Sequence, residues 1–523
     1  MSRVTASSVH AAPRARGALL VAIASGAYAA AILALRPGYQ AVADSHYHFS
    51  VARDVAHGDL VPDPARSLPW TVLHDMPVDH YWGYHLLIAP FGWIPDPVVG
   101  MKAATVAGFA AIFVSMYLFL HARGVPYAWL WALAPSIFST QDWRYLQLRG
   151  AQLIVPLLFA MTHVAFFEPR ARRRRWLLFA LGYVALLSYH GGVILLPFHV
   201  GGVVALFLLR REELEPRQLF EPAITALGMA AGLTLNPYMD ARASTWRFFW
   251  FHLTTMGTDS AGLYVGQDEG QFHGFPVAGL VAHPEWLILL GATVAAVLLV
   301  VLRSRDGRAG KDGIVLAGMA VVGIALTAQA MRTREYSVPV GFALLAVLAP
   351  RARESLRVMA LGGPLLGVAM VLHGQDTLPL LETHLPTDEY RGARAVLEAN
   401  GDHPVLNIAE ADYSMLRWEY DRVVCVQGGS RYFIYPYPAL FHDVWELHDR
   451  PETSPDTRAI LQRFYDRGVR LVAMHRTHRM VRFAETHPEV LRVVFVSRVN
   501  GATIYELAAI PSPPAPLPEG EGW

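Results

Sequence analysis

The sequence predicts a polytopic α-helical membrane protein of about 11 spans, followed by a C-terminal soluble α/β domain. Three observations carry this expectation. Apolar runs of about 15–23 residues recur through the first two thirds of the chain, against a hydrocarbon layer of about 30 Å. Arginine clusters recur after every second run. From about Pro386 the composition changes to short β-branched runs alternating with amphipathic stretches.

Composition supports the class. The chain is 53% hydrophobic and only 17% charged, where soluble domains carry about 25% charged residues. The net charge of +1 gives no reason to expect a nucleic-acid partner. Cys425 is the single cysteine, which excludes an intrachain disulfide.

In chain order, residues 1–16 form a basic tail, read as cytoplasmic. Gly17–Leu35 is too long for a cleaved signal sequence and has no clean small-residue cleavage site, so it reads as an uncleaved anchor. Further spans are expected near 98–120, 125–140, 150–167, 176–189, 191–209, 222–236, 284–302, 313–330, 336–350 and 356–373. Arg14 and Arg16, Arg123, Arg170–Arg175, Arg210–Arg217, Arg303–Lys311 and Arg351–Arg357 all fall on one side if every span crosses. The positive-inside rule makes that side the cytoplasm. The protein is thus expected as a multi-pass protein of the inner (plasma) membrane. The membrane domain covers 17–374, and its long loops 36–97 and 237–283 face outward.

Within the first loop, YWGYHLLIAPFGWI (81–94) is aromatic, apolar and too short to span, and reads as an interfacial helix. Residues 375–510 are expected to form an external, periplasmic α/β domain. DEYRGARAVLEANG and DTRAILQRFYDRG read as helices; HPVLNIA, RVVCVQ and VRLVAMH read as strands. LRVVFVSRV and ATIYELA make a hairpin around Asn500-Gly501. The proline-rich tail 511–523 cannot build a core and is expected to be disordered.

Candidate functional residues concentrate on the outward side. Ala43-Asp44-Ser45-His46-Tyr47-His48-Phe49 places an acid and two histidines just after the first span. A carboxylate there can accept a proton or neutralise a cation on phosphate oxygens; the plain alternative is a loop that contains polar residues. A second cluster holds His74, Asp75, Asp79 and His80, with His85 following. Its spacing matches no strong metal signature. Asp142 lies in a short outward turn with Arg144. Ser188-Tyr189-His190-Gly191-Gly192 is a polar break between apolar runs, tolerated at membrane depth where it lines a cavity or is buried in protein.

Arg332 and Arg334, in Arg332-Thr333-Arg334-Glu335-Tyr336, oppose the positive-inside trend. Arginine's planar fork suits phosphate; the alternative is a local pair with Glu335. Acids, histidines and arginines from distant spans therefore project to one membrane face. A lipid-phosphate substrate would use this layout, with its tail in the bilayer and its phosphate at headgroup level. No glycine-rich nucleotide-binding loop occurs in a credible context, so no nucleotide cofactor is expected.

On these motifs, together with FSVARDVAHGDLVPD, YHLLIAPFG, VLNIAEADYSMLRWEYDRVV and GGSRYFIYPYPALFHDVWEL, the chain resembles the type-C (GT-C) membrane glycosyltransferases. Within them it is similar to bacterial and archaeal relatives of the oligosaccharyltransferase catalytic subunit. The resemblance covers most of the chain as layout, and its motifs are short. It implies transfer of a sugar from a polyprenyl-phosphate-linked donor to an external lipid, polysaccharide or protein acceptor. Asp44 would be the catalytic acid of the first loop, and Arg332 or Arg334 would contact the donor phosphate. From the residues themselves, His46, His48, Asp75, Asp79, His80, Asp142, His190 and Tyr336 are pocket candidates. A divalent cation, Mg2+ or Mn2+, has Asp44, His46 and Asp142 as candidate ligands, with Asp75, Asp79 or His80 also open from the residues alone. Gln141 and Trp143 stand where oligosaccharyltransferases carry paired acids, which counts against the metal, and no WWDYG-like sequon-binding motif occurs. An O-antigen polymerase or ligase, with Arg242, Arg247, His252 and His273 in the second loop, and a transporter or flippase are the other classes open to this layout.

Overall fold

Small residues set how closely the helices of this chain approach one another. The computed structural model describes residues 11–35, 43–137, 144–238, 245–250, 284–329, 333–349, 390–408, 412–426, 438–449, 456–497 and 501–509, with Leu365, Val368 and Pro451 between them. They divide into a first compact unit, residues 1–41, 51–62 and 78–383, and a second, residues 42–50, 63–77 and 384–523.

The first unit is helical. Its elements are α1 (Ala11–Leu35), the second half of α2 (Ala43–Ala56), α3 (Trp82–Ile88), α4 (Pro97–Ala122), α5 (Ala128–Leu133), α6 (Ala151–Phe167), α7 (Ala171–Ser188), α8 (Leu195–Leu209), α9 (Glu221–Thr234), α10 (Pro284–Arg305), α11 (Lys311–Gln329) and α12 (Arg334–Leu348). Among the described residues, five helical stretches are long and apolar enough to cross a membrane: Ala15–Leu35, Pro97–Ala122, His190–Leu209, Trp286–Arg305 and Lys311–Ala328. Of the other expected spans, α7 equals Lys311–Ala328 in length at 18 residues but opens on four consecutive arginines, and the rest are shorter. α5 has six residues, closed in by Pro126 and Pro135, and α9 has 14. At 1.5 Å per residue, 14 residues reach about 21 Å. For α5 the apolar run counted in the sequence, 125–140, extends past the helix ends, whereas the expected 222–236 matches α9 closely. The expected span 356–373 lies outside the described residues except at Leu365 and Val368.

α7 packs on α9 through Gly182, Gly228 and Gly232. A Cβ on Gly228 would strike the Phe179 carbonyl, and one on Gly232 would lie 2.5 Å from the Tyr183 carbonyl. Two glycines four residues apart put both gaps on one helix face, so the backbones touch. α8 and α11 meet likewise at Gly201 and Gly318. α4 starts cleanly because Asp96 accepts hydrogen bonds from Val98 N (2.8 Å) and Val99 N (3.1 Å), with Pro97 in the first turn.

The arginine clusters meet in space. Arg123 pairs with Asp312 at 3.8 Å. Arg174, almost wholly buried, pairs with Glu221 (2.7 Å) and Glu215 (2.6 Å). Arg210 donates to the Ala309 carbonyl at 3.1 Å, and Lys311 to the Glu213 carbonyl at 3.4 Å. Four of the basic loops expected on one side are thereby joined at one end of the helices. The 351–357 cluster lies outside the described residues.

The second unit holds a four-stranded sheet in the order β1-β2-β4-β3, from β1 (Val405–Asn407), β2 (Leu471–His475), β3 (Leu491–Val496) and β4 (Ala502–Leu507). β1 and β2 run parallel, with Val405 opposite Leu471; β4 is antiparallel to β2 and to β3. The expected β3–β4 hairpin forms, and Gly501 supplies its positive φ of 82°. Helices α13 (Arg394–Asn400), α14 (Asp412–Glu419), α15 (Pro438–Asp449), α16 (Thr457–Asp466) and α17 (Met480–Thr486) complete the unit. The expected strand RVVCVQ is reduced to one bridge, Val405 to Cys425, and Cys425 N donates to the Ser67 carbonyl at 2.9 Å.

The stretch after the first span differs from its expected loop form: it is the start of α2. His46, Phe49 and Ala52, three residues apart and all buried, share one face of that helix. Residues 42–50 and 63–77, read as first-loop residues, group with the C-terminal unit.

Candidate functional site

In the second unit, Asp44 is the second residue of α2; its side chain lies outside the described ones. His46 follows half a turn later. Its ring is fully buried, edge-on to Trp418 at 5.1 Å and 86°. Neither ring nitrogen has a hydrogen-bond partner, and burial pushes the imidazole pKa down to about 3. Phe49 lies 6.2 Å from the same indole, and Tyr47 lies 6.3 Å from Tyr413. His48 is also buried, tilted against Tyr47 at 5.4 Å. Asp75 is exposed, at the end of the short helical turn Val72–Asp75. The Cys425 thiol is buried and its pKa is pushed up by that burial, which keeps it from acting as a nucleophile.

In the first unit, the structure brings together Asp79, His80 and His190. Asp79 is fixed from two sides: one oxygen is 2.5 Å from His85 Nδ1 and the other accepts from Tyr81 N at 2.9 Å. Tyr81 in turn stacks on Tyr189 at 5.0 Å and 9°. The His80 and His190 rings are 5.6 Å apart, both against Phe248. Asp79, His80, His190, Asn236 and Tyr238 line a cavity of about 10 Å³, close to the room one water needs. The Gly191-Gly192 break permits this fold-back: a Cβ on Gly192 would lie 2.8 Å from the Ala185 carbonyl. His190 of the polar break thus lines this small cavity.

A second group sits where α12 begins. The buried Arg144 and Glu335 form an ion pair. Tyr145 OH donates to the Glu335 carbonyl at 2.6 Å, Gln152 donates to the Tyr145 carbonyl at 2.7 Å, and Tyr84 OH donates to Gln152 at 3.1 Å. This chain of bonds ties α3, α6 and α12 together. Tyr336, the next residue of α12, is also buried. Because Glu335 is taken by Arg144, Arg334 makes no ion pair among the described residues. Its guanidinium lies 5.4 Å from the Trp286 ring centre, a cation–π contact.

Arg334 and Trp286 stand at one end of a cavity of about 220 Å³ between α10, α11 and α12. Leu289, Leu290, Ile324 and Val338 make its walls apolar, and the Thr327 and Ser337 hydroxyls, 2.9 Å apart, are polar points on its lining. The lining runs from Ala328 back to Ala320 along α11, about 12 Å of helix. An arginine at a helix N-terminus above an apolar slot suits a ligand with an anionic head and a hydrocarbon tail.

Among the described residues no group of three or more His, Cys, Asp or Glu side chains could hold a metal ion. Of the metal candidates whose side chains are described, His46 has its ring enclosed against Trp418, Asp79 is held by His85 and Tyr81 N, and Asp75 is exposed. The described residues therefore do not fit a metal centre. Asp142 and Arg332 lie outside the described residues, as do Arg242, His252, His273 and most of the loop 237–283. Sequence reasoning missed Trp286 and Trp418. The signal for Trp286 was an aromatic residue at the mouth of a span, and for Trp418 the run RWEYD. No protein-family model matches the chain, and no curated protein matches it.

Proposed function

We propose that the protein is a type-C membrane glycosyltransferase that takes its sugar from a polyprenyl-phosphate-linked donor. The observation that carries this reading is Arg334: a cation with no ion pair among the described residues, at the first turn of α12, above an apolar cavity between three helices. The donor's phosphate sits against the guanidinium and the helix N-terminus, and its first isoprenoid units enter the slot. The acceptor hydroxyl attacks the anomeric carbon while Asp44, or a group it organises, takes the hydroxyl proton. The bond from the anomeric carbon to the phosphate oxygen breaks, and the phosphate leaves with that electron pair. Arg334 opposes the charge that grows on the leaving oxygen, where a fixed cation contributes most to rate. No step is routed through a metal ion.

The joined arginine clusters support an orientation with the N-terminus in the cytoplasm and Arg334 at the outer face. The C-terminal unit is then periplasmic, and the acceptor is an external lipid, polysaccharide or protein. The test is binding of a polyprenyl phosphate to the full-length protein in detergent. Arg334→Ala is expected to weaken binding at least tenfold, loss of one charge-assisted contact being worth about 1.5–3 kcal/mol. The matching polyprenol, without phosphate, is expected to bind wild type and variant alike. Equal phosphate binding by both proteins would remove the ground for this reading and favour a polymerase or a transporter.

A further inference from the structure

The stretch that carries Asp44 follows the first long helix in sequence, yet its packing partners belong to the C-terminal unit. Residues 42–50 group with that unit. Three rings of α2 touch α14: His46 and Phe49 meet Trp418, and Tyr47 meets Tyr413. α14 is itself anchored. It follows β1, the strand paired with β2 in the sheet, and its Tyr413 and Leu416 are buried. The neighbouring segment 63–77 is held in the same unit through the bond from Cys425 N to the Ser67 carbonyl.

His46 sharpens the point. A buried imidazole with both nitrogens unpartnered is a costly choice where leucine would fill the space. Its contribution here is shape, a flat ring edge-on to an indole, in a helix whose next buried residue on that face is Phe49. Such a contact sets the rotation and axial position of the helix start, and with it the direction taken by the residue two places earlier.

The geometry points to Trp418 as a positioning residue for the reaction: the C-terminal unit clamps the first turns of α2 through this indole and so fixes the place of Asp44. The inference rests on the glycosyltransferase reading for its catalytic consequence, but the clamp itself can be measured without activity. Trp418 touches no substrate in this scheme; it acts through α2.

The experiment uses full-length protein carrying Asp44→Cys with a nitroxide spin label; the native Cys425 is buried and does not compete. The label is expected to be immobilised with Trp418 present, mobile with Trp418→Leu, and immobilised again with Trp418→Phe, which keeps a ring at the contact. Trp445→Leu, at another tryptophan of the same unit, is expected to leave the label immobile, which separates a clamp from general loosening. Should Trp418→Leu fail to accumulate, His46→Ala removes the contact from the other side. In the unlabelled enzyme, Trp418→Leu is expected to lower kcat tenfold or more with KM for the lipid donor within twofold, and Trp418→Phe to restore kcat. A label equally mobile in all these proteins, or equally immobile with Trp418→Leu, overturns the clamp. If wild type transfers no sugar while the label responds as stated, the glycosyltransferase reading fails and the clamp stands.

Discussion

Replacing His46 should change how the second unit responds to acid. The imidazole is buried, its nitrogens are unpartnered, and its pKa in the folded chain is about 3; in the unfolded chain it is near 6.5. Above pH 6.5 the ring is neutral in both states, so it adds no pH dependence there. Below pH 6.5 the unfolded chain binds a proton that the folded chain refuses, and stability falls as pH falls. Each pH unit costs about 1.4 kcal/mol, so the loss between pH 8 and pH 5 is about 2 kcal/mol. That value is insensitive to the folded pKa so long as it stays well below 5. His46→Leu removes the slope. At pH 8 the same change trades two orphaned nitrogens, about 1–3 kcal/mol, against one ring contact, about 0.5–1.5 kcal/mol, so it should be neutral or mildly stabilising. The assay is hydrogen exchange of the α14 and β1 amides in the full-length protein, wild type minus His46→Leu at each pH. The difference cancels the intrinsic pH dependence of exchange and the other titrating groups. Parallel pH profiles for the two proteins would refute the reasoning.

Three further outcomes follow from the first unit. Gly228→Ala pushes a Cβ into the Phe179 carbonyl and should cost about 1–3 kcal/mol, the usual range for overpacking, while Gly291→Ala, with nothing within 4 Å of its Cβ, should leave the thermal midpoint in detergent unchanged or slightly raised. Glu335→Gln leaves Arg144 buried without its counter-charge and should cost about 3–5 kcal/mol, with most of that recovered when Arg144→Met is added; a single variant as stable as wild type contradicts the pair's burial. Arg334→Lys keeps the charge but loses the planar fork, so polyprenyl phosphate should bind it more weakly than wild type and more tightly than Arg334→Ala, as read by titration.

What was legible in the sequence depended on the range of the interaction. Apolar length and arginine spacing are local, so the long helices and the joining of Arg123, Arg174, Arg210 and Lys311 at one end could be read ahead of the structure. So could the β3–β4 hairpin, because Gly501 marks its turn. The shortness of α5 could not, since a hydropathy window does not see where Pro126 or a cap ends the hydrogen-bond ladder. At the site, His190 was legible because a Gly-Gly break inside apolar sequence demands an explanation. The state of Arg334 was not: the sequence offered Glu335 as its neighbour, and only the fold shows that Arg144, almost two hundred residues away, takes that carboxylate. The helical form of Ser45–Phe49 was hidden by its polar composition, and its partner Trp418 lies far along the chain, though in the same compact unit.

The central claim, that a lipid-phosphate-linked sugar is the donor, is tested most directly by a transfer assay. Purified full-length protein in nanodiscs would be given radiolabelled polyprenyl-phosphate sugars, with Asp44→Asn and Arg334→Ala beside wild type and an EDTA arm to read metal dependence. The account predicts that wild type moves label off the lipid, that Asp44→Asn moves none while folding and inserting normally, and that Arg334→Ala is slowed at least tenfold. Full transfer by Asp44→Asn, or no donor consumed by wild type across the donor series, would contradict it.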